Sequence, residues 1–410
     1  MSRERSGIHS RGARGGSGGC DAAPPSLKRS RWYIRLPLRR ILSAATVTLA
    51  AACGGRPVLP PDVFPVETAW TASLGEAIEG PLATDGSRLF VATRDGVVRG
   101  LDLATGSTVW EVPDRTGVVG AGPGLVALRA PDGIVWGMEP ETGRARWKAE
   151  TGVIGAIPPV VSAEAVLVAG EGLTWLDPAT GAARWSVPAP PAMRGVPLAW
   201  GAHVLAGEAD GPLRSRDAAT GALAWAFPAE GVVAAPVVDD RDRVLVGTTD
   251  RRFVALRARD GKQEWRWKVG ADVQAPAVVL DDKVLFATHE NVLYALRRGS
   301  GKMAWRAGLP SRPLGGPLLV GTAVVVACFE NDVLGFDGRT GRRLGALRTS
   351  AEIRTPPVLV NRRLYIGLRD HTVVALQMAA APQLSASPEA EASPIWSPSP
   401  PPPSPAPGVP

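Results

Sequence analysis

Cysteine is scarce in this chain of 410 residues, as are the other side chains that hold metals or run redox chemistry. Its three cysteines, Cys20, Cys53 and Cys328, lie far apart and cannot build a disulfide framework. Of its four histidines only His203, His289 and His371 fall outside the N-terminal segment, and no metal-ligand spacing joins them. The apolar run 41–52 is too short for a transmembrane helix. Gly-Ala-Gly-Pro-Gly (120–124) has no helix after it, so it is not a phosphate loop. Nor does any nucleophile stand beside a base within a recognisable motif.

The formal charge of +7 invites a nucleic-acid reading, but its distribution removes one. Residues 1–52 hold ten basic and two acidic groups, which leaves 36 basic and 37 acidic groups for the rest. The body is therefore close to neutral, where a nucleic-acid footprint needs a basic patch.

The basic stretch 28–40 precedes the apolar run 41–52, and Ala50-Ala51-Ala52 precede Cys53. A positive region, an apolar region and small residues before a cut describe an export signal. Cys53 directly after that signal resembles a bacterial lipoprotein site, at which the cysteine carries the lipid. The other reading is a cleaved signal beside an unmodified Cys53. The expected organisation is a prefix and export signal over 1–52, a lipid-anchor linker over 53–65, a folded body over 66–378, and a Pro/Ser/Ala-rich tail over 379–410.

What the chain has in abundance is glycine (47), proline (39) and tryptophan (13). Many short strands joined by tight turns suit that composition better than helices do. Self-comparison explains the tryptophans. Asp-Leu-Ala-Thr-Gly-Ser-Thr-Val-Trp (102–110) recurs with variations, its glycine falling at 106, 143, 181, 221, 261, 301 and 341. Trp110, Trp147, Trp185, Trp225, Trp265 and Trp305 each follow that glycine by four residues; Gly345 takes the place in the last copy. Trp70 stands one repeat before Trp110.

Each unit of about 40 residues reads as four short strands, alternating β-branched with other residues and bounded by turn formers. The acid four residues before each repeat glycine, where present, is placed to accept backbone N–H groups of its own hairpin. One such sheet cannot bury both faces, and radial stacking of the units solves this. The outer strand with Trp occurs first at 70, before any complete unit, whereas the last unit (355–378) lacks an outer strand. The two complete each other. The fold expected is all-β: an eight-bladed β-propeller of four-stranded antiparallel blades, closed by the N-terminal strand around Trp70. The seven tryptophans are expected to dock one blade on the next. Gly345 predicts a poorly packed junction there.

The unit Asp-x-x-Thr-Gly-x-x-x-Trp resembles the pyrroloquinoline-quinone-type propeller repeat over 66–378. Quinone-dependent alcohol dehydrogenases with this repeat typically have adjacent cysteines near the cofactor and a carboxylate-bound calcium. This chain has no adjacent cysteines, and its acids at hairpins are spread around one rim, so no enzyme, cofactor or metal is expected. Signal, Cys53, body size and blade number resemble the BamB family of outer-membrane β-barrel assembly lipoproteins. Members carry a Leu-rich segment ending in Arg-Gly that docks on the POTRA repeats of the barrel protein BamA. The corresponding segment here is 190–198, with Met193 as apolar anchor, then Arg194 and Gly195. Members also place acids at the start of the next blade, where Gly231 and Val233 stand here. The resemblance implies a non-catalytic scaffold on the periplasmic face of the outer membrane, with a BamA-like partner. An envelope lipoprotein that binds or senses a ligand or glycan is the alternative.

Overall fold

The computed structural model describes residues 63–188 and 192–379. Among the described residues every regular element is a strand, and the strands form eight four-stranded antiparallel sheets. Seven sheets are contiguous in sequence, over 83–112, 118–150, 160–188, 198–227, 237–268, 278–308 and 318–348. We number these blades one to seven. The eighth takes its three inner strands from 358–378 and its outer strand from Val66–Ser73, at the opposite end of the described sequence but adjacent in space. Trp70 pairs with Ala375, and the ring closes. The protein is an eight-bladed β-propeller.

Burial follows strand position. The second strand of a blade is covered on both faces; Val166–Gly170 is buried throughout. The outer strand alternates, with Trp185 buried between exposed neighbours in Ala183–Pro188. Each hydrophobic cluster spans two blades. In one, Phe253 of blade five stacks on Phe286 of blade six with centroids 4.0 Å apart, flanked by Trp265 and Tyr294. The apolar faces of the sheets thus remove each other from water, which no blade achieves alone.

The tryptophans act across these joints. Each indole N–H donates to a backbone carbonyl of the next blade at 2.8–3.2 Å, as from Trp185 to Ala218 and from Trp225 to Ala258. Trp70, Trp110, Trp147, Trp185, Trp225, Trp265 and Trp305 all do so. Each ring also lies on the repeat glycine of that next blade. Gly221 has φ 73°, and a Cβ there would fall 2.7 Å from Trp185. Glycine is therefore required twice, by the left-handed turn and by the ring above it. Asp102, Asp177 and Asp217 each accept from two backbone N–H groups and a threonine hydroxyl of their own hairpin.

The junction at Gly345 departs from expectation. Phe64 lies over Gly345 and fills the missing tryptophan's space, while Val63 is fully buried with blades seven and eight. Val63 and Phe64 fall in the stretch read as linker. They belong to the packed body because the broken eighth blade has no hairpin of its own to seal that joint.

Candidate partner-docking rim

Antiparallel order puts the Thr-Gly hairpins on one face of the ring. The connections between blades share the other face with the hairpins between second and third strands. On that second face, Met193 bridges to Glu208 of blade four, and its N–H donates to Gly170 O of blade three at 2.6 Å. Arg194 N–H donates to Gly207 O at 3.1 Å. These bonds hold the segment extended, so successive side chains point to opposite sides.

That alternation corrects one expectation. Met193 is only 3% exposed and packs with Trp185 and Ala206, so it is a core plug and not a surface anchor. Ile353 bridges in the same way in blade eight, and Val233 in blade five. Arg194 is exposed and Val196 is 45% exposed, so the outward pair is Arg194 and Val196. Gly195 lies where a Cβ would meet Val233 O and Ala234 O at 2.4 Å, which fixes the backbone against blade five. Val196 was missed because it follows the apparent motif; a period-two reading of 193–197 finds it.

A concavity of about 290 Å³ lies beside Arg194, with Ile154 and Ile157 on its blade-three side. Ile154 is 49% exposed. Behind it Arg129 is buried, donating to Ala169 O at 2.7 Å and to Gly155 O. Gly170 leaves the room for this guanidinium, since a Cβ there would stand 3.2 Å from it. Burial pulls the Arg129 pKa below its ordinary value. Glu208, 2% exposed, is held by Arg214 at 2.7 Å. At the floor of the rim, Arg129 is thus bonded to backbone carbonyls and Glu208 is ion-paired. Val233 is fully buried, and the nearest acid of the next blade, Glu230, pairs with Arg252.

The remaining sequence candidates do not converge. His203 bonds Ser215 and stacks on Trp200, burial lowers the His289 pKa, and His371 lies in blade eight's hairpin. Cys328 is buried, and burial pushes its thiol pKa up to about 12, so it is not a nucleophile. Among the described residues no three His, Cys, Asp or Glu side chains group as metal ligands. Cys53 lies outside the described residues.

Comparison with known proteins places this architecture. A family model described as outer membrane protein assembly factor BamB matches over 67–196, 131–275 and 209–396, which together cover most of the chain. The chain belongs to the BamB family. Two curated BamB proteins align over shorter stretches. The one from Bordetella pertussis is 37% identical over 108 residues, 25% of this chain and 28% of that protein. The one from Alkalilimnicola ehrlichii is 35% identical over 96 residues, 21% of this chain and 25% of that protein. The chain thus spans about a quarter of the length of each. BamB from Moraxella catarrhalis superposes with TM-score 0.66 at 22% identity, over 76% of this chain and 97% of the other. A europium-containing methanol dehydrogenase superposes with TM-score 0.62 at 14% identity, over 74% of this chain and 84% of the other, and shares the fold. The same fold thus serves BamB and a methanol dehydrogenase, so the fold by itself does not set the function.

Proposed function

We propose that the protein is a non-catalytic scaffold that assists assembly of β-barrel proteins into the outer membrane; its BamB relatives are named outer membrane protein assembly factors. In this reading Cys53 carries a lipid that tethers the ring to the periplasmic face of the outer membrane. The partner is a BamA-like protein, engaged through its POTRA repeats. The observation that carries the reading is the outward pairing of Arg194 with Val196 on a rim segment bonded to three blades. A guanidinium beside exposed apolar surface, on a backbone held by hydrogen bonds to its neighbours, anchors a protein interface at little ordering cost. Gly195 contributes through the backbone, and Met193 contributes by holding the segment in place.

Affinity purification of the protein from detergent-solubilised envelopes tests this. A BamA-like protein is expected to co-purify, and Arg194→Glu is expected to reduce its recovery. Recovery of only unrelated partners would overturn the assignment. A second reading, an envelope ligand- or glycan-binding module, draws on an open concavity of about 770 Å³ on the opposite face, between Arg146 and Asp217. A small molecule retained in native mass spectrometry would favour it.

A further inference from the structure

In every blade but the second, where Pro131 has no N–H to give, the repeat places one residue at the same shoulder, just after the second strand. Its N–H donates to the connection entering that blade. In blades three, four, five and six this residue is Glu171, Ala209, Thr249 and His289; in blades seven, eight and one it is Phe329, Arg369 and Arg94. Arginine and phenylalanine side chains at this position thus fall in three adjacent blades, on the side of the ring away from Arg194, with His289 of blade six beside them. Arg354 adds to them. It occupies in blade eight the place that Arg194 holds in blade four, one residue after the bridging plug.

The three arginines line a concavity of about 630 Å³ at the junction of blades eight and one. Its lining carries Arg94, Arg354, Arg369 and His371, and no acidic side chain. Arg94 has no carboxylate partner among the described residues. Glu352 at the edge accepts from Arg369 at 3.0 Å and pairs with Arg354 at 3.5 Å, which orients both guanidinium groups. Asp370 is turned into its own hairpin, accepting from the Thr372 hydroxyl at 2.6 Å. Ile78 and Leu368 supply apolar wall. At the rim Phe329 is 37% exposed, with the Arg354 and Arg312 guanidinium groups 5.7 and 6.0 Å from its ring centre.

We propose that this concavity is a second docking site, which takes an acidic peptide segment of a protein partner. Guanidinium forks match carboxylates in a bidentate way, and Phe329 offers a flat surface for an apolar residue beside them. The body as a whole is close to neutral, so the local absence of acids in this lining is a departure that favours an anion. A hollow, with apolar wall between its cations, suits a peptide better than a lipid surface, which meets protruding basic side chains. The site is independent of Arg194, so the two can be occupied together.

Fluorescence anisotropy of the full chain in detergent tests the proposal. The probe is a fluorescein-labelled peptide of alternating Glu and Phe; a Lys/Phe peptide is the control. The acidic peptide is expected to bind, more weakly as salt rises, and the control is not. The double substitution Arg354→Glu and Arg369→Glu is expected to weaken binding by about tenfold or more, the scale of losing a close charge pair. Phe329→Ala and Arg94→Ala are expected to weaken it less, and they report on the site should the double variant fail to fold. Arg194→Glu is expected to leave it unchanged. Binding that survives all the substitutions at Arg94, Phe329, Arg354 and Arg369 would overturn the proposal. So would failure of the peptide to bind where inorganic phosphate or phosphatidylglycerol vesicles bind through these arginines.

Discussion

Phe64 and Gly345 meet with the roles of the other blade junctions exchanged. Elsewhere the outer strand supplies the tryptophan and the next blade's hairpin supplies the glycine, as Trp305 lies on Gly341. At the seventh junction the outer strand supplies Gly345, and the aromatic ring comes from the chain entering blade eight. Blade eight is closed by two distant segments, so no continuous hairpin is present there to offer a glycine. The aromatic ring instead arrives from the entering chain.

Phe64→Ala is expected to destabilise the propeller by about 2–3 kcal/mol, somewhat below a fully buried Phe→Ala because the ring is half-buried. Gly345→Trp is expected to destabilise the wild-type protein, whose space is already filled. Combined, the two substitutions should recover part of the loss, since the repeat's own residue then fills the joint. Urea unfolding of the four proteins measures the coupling. Strictly additive losses would mean that the two residues do not share one space.

Gly221 and Gly201 separate the two demands on glycine. Both have positive φ, 73° and 52°, but a Cβ at Gly201 meets nothing within 4 Å whereas one at Gly221 meets Trp185. Gly201→Ala is expected to cost about 1–2 kcal/mol, the left-handed backbone alone. Gly221→Ala should cost clearly more in the same unfolding experiment, and Trp185→Ala about 3–5 kcal/mol.

Acid unfolding should report the hairpin aspartates. In Asp102, Asp177 and Asp217 the threonine hydroxyl and then the backbone N–H groups stabilise the carboxylate and lower its pKa. A folded pKa below the unfolded one gives stability that is present above the unfolded value, about 3.9, and is lost as pH falls through the folded value. Replacing all three with Asn should flatten the loss of thermal midpoint between neutral pH and pH values below that range. An unchanged slope would remove these carboxylates from the acid response.

Met193 and Val196 should behave as opposites. Met193→Ala is expected to lower stability by about 2–5 kcal/mol, as for a buried Met→Ala, because it opens the core beside Trp185. Val196→Asp should leave the thermal midpoint within a degree or two, as exposed substitutions do, while reducing co-purification of the barrel-assembly partner. If Val196→Asp leaves that recovery intact, the outward pair does not form the interface.

The sequence by itself determined the ring. Asp-x-x-Thr-Gly-x-x-x-Trp repeats because each blade needs the same turn and the same ring-filling side chain, so strand number, blade number and closure at Trp70 follow from spacing. The hairpin aspartates were legible for the same reason, being local. Only the tertiary structure decided which residues face outward on the rim and what seals the seventh junction. Met193 and Arg194 are neighbours in sequence, but their burial depends on bonds to Gly170 and Gly207 from two blades. Phe64 lies 281 positions from Gly345 in the chain, and no period links them. Arg94 and Arg369 come together only because the ring closes. A repeat encodes what every blade shares; the residues that make one sector different from another acquire meaning only when distant blades become neighbours.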